Sequence, residues 1–116
     1  MTTSLLTSSG LISSGFHALS EPLRIRILET LRSQELCVAD LCEHLDVSQS
    51  KLSFHLKTLR AAALVRPRQE GRWVYYSLNL PQFVVLEQYL ADYRRFAVML
   101  PTANREVPAA TNSNKI

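Results

Sequence analysis

A mainly α-helical domain of about five helices carrying one small β-hairpin is the fold class this sequence predicts. Three observations predict it. Apolar residues recur at helical spacing in four stretches between residues 22 and 99. Two strand-like runs, 65–69 and 73–78, flank a Glu70-Gly71-Arg72 tip. The chain has 116 residues, 47% hydrophobic and 20% charged, which is enough for one globular core and too little for two.

The elements follow in order. Residues 1–12 are rich in Ser and Thr with no acid or base, and are expected to form a flexible arm. A short helix over about 13–19 comes next. Pro22 suits the first turn of a second helix, with Ser20 as its N-cap and Leu23, Ile27, Leu28 and Leu31 on one face. Cys37 stands where Ser or Thr opens a capping box, with Asp40 at the third helical position, so a third helix runs through Leu41 and Leu45. Asp46-Val47-Ser48 breaks it, and Ser48 N-caps a fourth helix over 49–63. There Leu52, Leu56, Leu59 and Ala63 form one stripe, with Ser50, Phe54, Lys57 and Ala61 opposite.

After the hairpin, Pro81 opens a last helix over about 82–99. Phe83, Leu86, Leu90, Tyr93 and Ala97 line one face, and Val85, Tyr89, Phe96 and Met99 another. A helix apolar on two faces must be buried twice, most simply against a second copy of so small a chain. Residues 101–116, with two prolines and few large apolar groups, read as a disordered tail, leaving 13–100 as one folded domain.

Several function classes are excluded. No apolar run approaches the roughly 18 residues of a membrane span. The start lacks a charged and an apolar signal region, so the chain is expected to be cytoplasmic. Two cysteines, Cys37 and Cys42, are too few for a disulfide scaffold and read as thiols. An enzyme is not expected: there is no CxxC, no evident base, and only three glycines, none in a phosphate-binding loop. The formal net charge is +3, yet residues 48–76 hold six of the bases and one acid, Glu70. Charge so concentrated points to a polyanionic partner.

Two short helices joined by a three-residue break are the helix-turn-helix pattern, and the hairpin behind it makes a wing. The first turns of the second helix reach bases and phosphates. They carry Gln49, Ser50, Lys51, Ser53, Phe54 and Lys57. Gln49 can pair with adenine through two hydrogen bonds, and the serines can bond to bases or phosphates. Lys51 and Lys57 suit phosphates. Phe54 either meets a thymine methyl or packs on the hairpin. Arg68 and Arg72 flank the wing tip, where they could reach phosphates or a narrow minor groove. His55, at the edge of the apolar stripe, reads as a packed structural residue, and His17 and His44 as isolated surface or packing residues.

The stretch ELCVADLCEHLDVSQSKLSFHLKTLRAAALVRPRQEGRWVYYSL resembles the ArsR/SmtB family of winged-helix repressors, and residues 18–24 resemble that family's entry to its second helix. The resemblance covers about residues 16–99. It implies a homodimer, joined through its first and last helices, that binds double-stranded operator DNA without a cofactor and releases it on binding a metal or metalloid. Residues 35–42 further resemble the ELCVCDLC segment of arsenite- and antimonite-responsive members, whose three cysteines bind the metalloid. Cys37 and Cys42 match the first and third, and Ala39 replaces the second.

The implied inducer is therefore arsenite or antimonite at Cys37 and Cys42, with a third ligand from solvent, a small thiol or another subunit. In an intact helix, positions five apart are separated by about 140° around the axis and about 7.5 Å along it, so an N-cap position for Cys37 is what would let the pair converge. A reversible Cys37–Cys42 disulfide is the alternative sensor. Zinc sensing on the last helix is not expected, since residues 81–100 hold no His and only Glu87 and Asp92 as acids. A winged helix serving only protein contacts would leave the basic face unexplained.

Overall fold

The computed structural model describes residues 8–97. Five helices and three strands follow one another: α1 (Ser8–Ala18), α2 (Pro22–Thr30), β1 (Leu36–Cys37), α3 (Val38–Leu45), α4 (Gln49–Ala61), β2 (Val65–Glu70), β3 (Trp73–Leu78) and α5 (Leu80–Ala97). The result is a winged helix-turn-helix domain. The sheet is antiparallel in the order β1-β3-β2, so the expected two-stranded wing gains a third strand. No helix among the described residues is long and apolar enough to cross a membrane.

Three local expectations need correction. First, α1 begins at Ser8, not near 13, so the expected arm is helical from there. Ile12 and Phe16, one helical turn apart, pack against the core. The Ser14 hydroxyl folds back onto the Gly10 and Leu11 carbonyls, at 3.0 and 3.3 Å, which satisfies it within the helix. The rest of the arm (1–7), Met99 and the expected tail lie outside the described residues.

Second, the N-cap of α2 is Glu21, not Ser20. Its extended backbone lets the carboxylate accept the Arg24 N–H at 3.0 Å. That bond is the leading reason the Glu21 carboxyl titrates below its ordinary value. Ser20 instead donates to the His17 carbonyl at 2.6 Å, closing the end of α1.

Third, α4 ends at Ala61, two residues early, in a Schellman turn. Ala63 takes a left-handed φ of 63°, its N–H bonding the Arg60 carbonyl at 2.9 Å and the Leu64 N–H bonding Leu59 at 3.0 Å. Asn79 secures the turn, donating its side-chain amide to the Ala63 carbonyl at 2.7 Å and its backbone N–H to Leu64 at 3.0 Å.

The other caps follow the sequence. Cys37 is the N-cap of α3 with φ −83° and ψ 169°, and its side chain makes no capping hydrogen bond. Asp46 closes α3 at φ 55°, and Ser48 Oγ accepts the Lys51 N–H at 3.2 Å to open α4. In the wing, Glu70 pairs with Trp73, leaving a two-residue tip. There Gly71 takes φ 62°, a conformation that glycine adopts without strain.

The core lies between α2, α3, α4 and the strand roots. Ile27, Leu41, Leu52, Leu56, Leu59 and Leu64 are its largest fully buried side chains. Helix α1 packs closely on Leu86: a Cβ at Gly15 would lie 2.8 Å from Leu86 Cδ2, which accounts for a glycine in mid-helix. Buried Gln82 donates to the Leu11 carbonyl at 3.0 Å beside it.

Contacts divide the chain after Leu86. In the second unit, the described turns of α5 hold Tyr89 and Tyr93 edge to face, their hydroxyls 2.5 Å apart. The expected α5 face divides accordingly. Leu86 is buried and Phe83 and Ala97 half-buried, whereas Leu90 and Tyr93, like Phe96 of the other expected face, are each more than half exposed in the single chain.

Candidate nucleic-acid interface and thiol pair

The fourth helix presents its polar face because its apolar stripe is consumed by the core. Leu52, Leu56 and Leu59 are buried, and Gln49, Ser50, Lys51, Ser53, Phe54 and Lys57 are all exposed. The Ser48 cap and the tight Asp46 turn fix where the helix begins. Phe54 is 65% exposed, so the hairpin does not cover it; its ring meets His55 edge to face, with centroids 5.2 Å apart.

Beneath this face lies a polar link that the sequence did not reveal. Arg24 is 6% exposed and donates Nε to the Ala18 carbonyl at 2.8 Å. Its Nη1 lies 3.0 Å from Nδ1 of buried His55. A guanidinium only donates, so the His55 nitrogen facing it accepts and carries no proton. The link ties α2 and the end of α1 to α4. Sequence reasoning identified His55 as structural but missed its partner, which lies 31 positions away.

In the wing the two arginines part company. Arg68 donates Nε and Nη2 to the two carboxylate oxygens of Glu35 at 3.0 and 2.9 Å, and Nη1 to Glu70 at 2.8 Å. Its guanidinium lies 5.0 Å from the Tyr75 ring centre. These bonds hold the Glu35 carboxyl below the ordinary glutamate value and raise that of Arg68. Arg72, at the exposed tip, makes no ion pair with the described residues. Arg66 is engaged by Asn79, Nε to Oδ1 at 2.8 Å.

A cavity of about 280 Å³ opens between α3, the start of α4 and the wing tip, lined by Ala39, Cys42, Gln49, Arg72 and Trp73 among others. Both cysteines are free thiols. Cys42 is half-buried, packs against the core and faces this cavity. Cys37 is buried, and its position on β1 pairs with Tyr75. Among the described residues no group of three or more His, Cys, Asp or Glu is placed to hold a metal. His17 and His44 are exposed, His44 bonding through Nδ1 to the Asp40 carbonyl at 2.9 Å. The structure thus gathers Cys42, Gln49 and Arg72 around one cavity, places Cys37 at the sheet, and adds no third ligand.

Comparison with known proteins supplies an independent reading. A profile described as bacterial regulatory protein, arsR family, matches residues 21–66. The chain is 44% identical over 78 residues to the transcriptional repressor SmtB homolog of Synechocystis, covering 67% of this chain and 59% of that protein. It is 45% identical over 65 residues to the arsenical resistance operon repressor of Escherichia coli K12, covering 55% and 56%. The chain thus spans under two thirds of the length of these curated relatives. Among solved structures, HlyU from Vibrio cholerae N16961 superposes with a TM-score of 0.59 at 32% identity, covering 72% of this chain and 92% of that one.

Proposed function

Since this chain belongs to the ArsR family of bacterial regulatory proteins, and its curated relatives are transcription regulators and not enzymes, we propose that it is a homodimeric, cytoplasmic repressor. It binds operator DNA through α4 and the wing, and releases it when trivalent arsenic or antimony binds Cys37 and Cys42. The carrying observation is the capped, fully exposed polar face at 49–57 beside the exposed Arg72. In this reading Gln49, Ser50 and Ser53 read or position bases, Phe54 covers a thymine methyl, and Lys51, Lys57 and Arg72 bind phosphates. The exposed apolar groups of α5, Leu90 and Tyr93 among them, meet a second copy.

Two features support the inducer reading. The chain is 45% identical over 65 residues to an arsenical resistance operon repressor, and Cys37 caps α3 with a side chain that makes no capping bond, so its thiol can turn toward Cys42. Cys37 belongs both to the strand paired with the wing and to the start of the helix before α4. A ligand drawing on it therefore strains both DNA-binding elements. One observation favours a second reading: two thiols complete a disulfide, whereas trivalent arsenic takes a third ligand that the described residues do not assemble.

The test of the DNA reading is anisotropy on a labelled duplex from upstream of the protein's own gene, against a scrambled duplex. Saturable binding by two chains per duplex, weakening steeply with salt, is expected. Equal binding to both duplexes, or indifference to salt, would contradict it.

A further inference from the structure

We propose that Glu35 is a positioning residue for DNA binding: it straps the wing to the root of the sheet through Arg68, so that an acidic side chain strengthens binding to a polyanion. This rests on the reading of the wing as a DNA-contacting element.

The geometry carries the proposal. Arg68 lies on β2, the outer strand, and Glu35 lies immediately before β1, at the opposite edge of the same sheet. The guanidinium spans the intervening strand, passing 5.0 Å from the ring centre of Tyr75 on β3. It meets both Glu35 oxygens in a two-pronged bond at 2.9 and 3.0 Å, and its remaining prong reaches Glu70 beside the tip at 2.8 Å. In register, Arg68, Tyr75 and Cys37 form one cross-strand row, so the strap lies over the line joining the wing to the thiol strand.

Three of the five N–H groups of this arginine are taken by carboxylates, and the pair is partly exposed at both ends, 50% and 34%. Such a pair contributes little to global stability. What it changes is order. A wing held at tip and root presents Arg72 in place, whereas a loose wing must be immobilised at the moment of binding.

Electrostatics alone predicts the opposite sign. Glu35 repels phosphates, and it occupies an arginine that could otherwise bind one. If it withheld Arg68 from DNA, removing its charge would tighten binding and add a phosphate contact.

The experiment compares the unmodified dimer with Glu35→Gln, Glu35→Asp, Arg68→Gln and the Glu35→Gln, Arg68→Gln double variant. Affinity for the upstream duplex is measured at several salt concentrations, with a melting curve for each protein. Glu35→Gln is expected to weaken binding roughly threefold to tenfold, the cost of ordering a long side chain and its strand on binding. Its salt slope stays that of the unmodified chain and its melting temperature within about 2 °C. Glu35→Asp restores part of the loss, and the double variant binds no more weakly than the weaker single one.

Equal or tighter binding by Glu35→Gln overturns the proposal. A slope steeper by about one phosphate would identify Glu35 as a competitor for Arg68. If the unmodified chain binds no DNA, the wing reading itself fails and the strap falls with it. Binding by the unmodified chain that Arg72→Ala weakens and Glu35→Gln does not would overturn the strap alone.

Discussion

The Arg24 guanidinium reaches Nδ1 of His55 at 3.0 Å, and this one contact joins the second helix to the buried side of the fourth. Both residues are buried, and no buried side-chain polar atom of the described residues is left without a partner. Arg24 also holds the carbonyls that end α1, Ala18 at 2.8 Å and His17 at 3.4 Å. One side chain therefore satisfies three acceptors and sets the height of α4 on the core.

Arg24→Met keeps much of the volume and removes the donors. Leaving buried acceptors unpaired predicts a loss of about 3 kcal/mol, read by urea unfolding. Arg26→Met, two residues along the same helix on an exposed position, is expected to change stability by less than about 0.5 kcal/mol. Equal losses at the two sites would show that the buried link contributes nothing.

Ala63 holds a left-handed φ of 63° because the Schellman turn after α4 requires it. Glycine takes that conformation without the Cβ penalty, so Ala63→Gly is predicted to stabilise the domain by about 0.5–1 kcal/mol. Denaturant midpoints at constant slope check it. A loss would mean that the half-buried methyl group contributes more by packing than it costs in backbone strain.

Lys51 and Arg72 lie on the two elements proposed to contact DNA and make no ion pair with the described residues. Changing either to alanine should weaken binding roughly tenfold on specific and scrambled duplexes alike, and lower the salt slope by about one. Gln49→Ala should instead weaken only the specific duplex, because a base contact carries sequence information and a phosphate contact does not. Anisotropy across a salt series separates the two outcomes.

The strap has a pH signature. Hydrogen bonds from Arg68 are the leading cause of the lowered Glu35 titration. A carboxylate whose folded value is lowered contributes fully above its unfolded value, about 4.3, and the contribution fades as pH falls through the lowered one. Binding near neutral pH is therefore unaffected by Glu35 titration. A carbon-detected NMR titration should place Glu35 below the ordinary value in the unmodified chain and near it in Arg68→Gln. An unchanged Glu35 in that variant would contradict the pairing.

What the sequence disclosed, and what it hid, divides by range along the chain. The Ser48 cap, the Asp46 break, the Leu52–Leu56–Leu59 stripe and the Gly71 tip are written within a few neighbouring residues, and each was legible. The N-cap at Glu21 was misjudged as Ser20 because two adjacent residues can both accept, and only the backbone angles at Glu21 decide between them. Strand β1 has two residues and no period of its own; it exists because β3 offers it a free edge. Glu35 and Arg68 lie 33 positions apart and Arg24 and His55 31 apart. No local pattern relates such partners. The engagement of Arg68 by Glu35 and Glu70 was accordingly not legible, and the sequence offered it only as a residue at the wing tip.

If the two thiols govern release, an arsenite titration of the DNA complex depends on both. The protein is bound to its labelled upstream duplex under reducing conditions and titrated with arsenite, in parallel with Cys37→Ser and the Cys37→Ser, Cys42→Ser variant. Arsenite is expected to lower the anisotropy of the unmodified complex, while both variants bind DNA normally and do not release it. Release that persists in the double variant would contradict the claim and place the inducer site elsewhere. Release by a mild oxidant but not by arsenite would replace the metalloid with a disulfide at the same two positions.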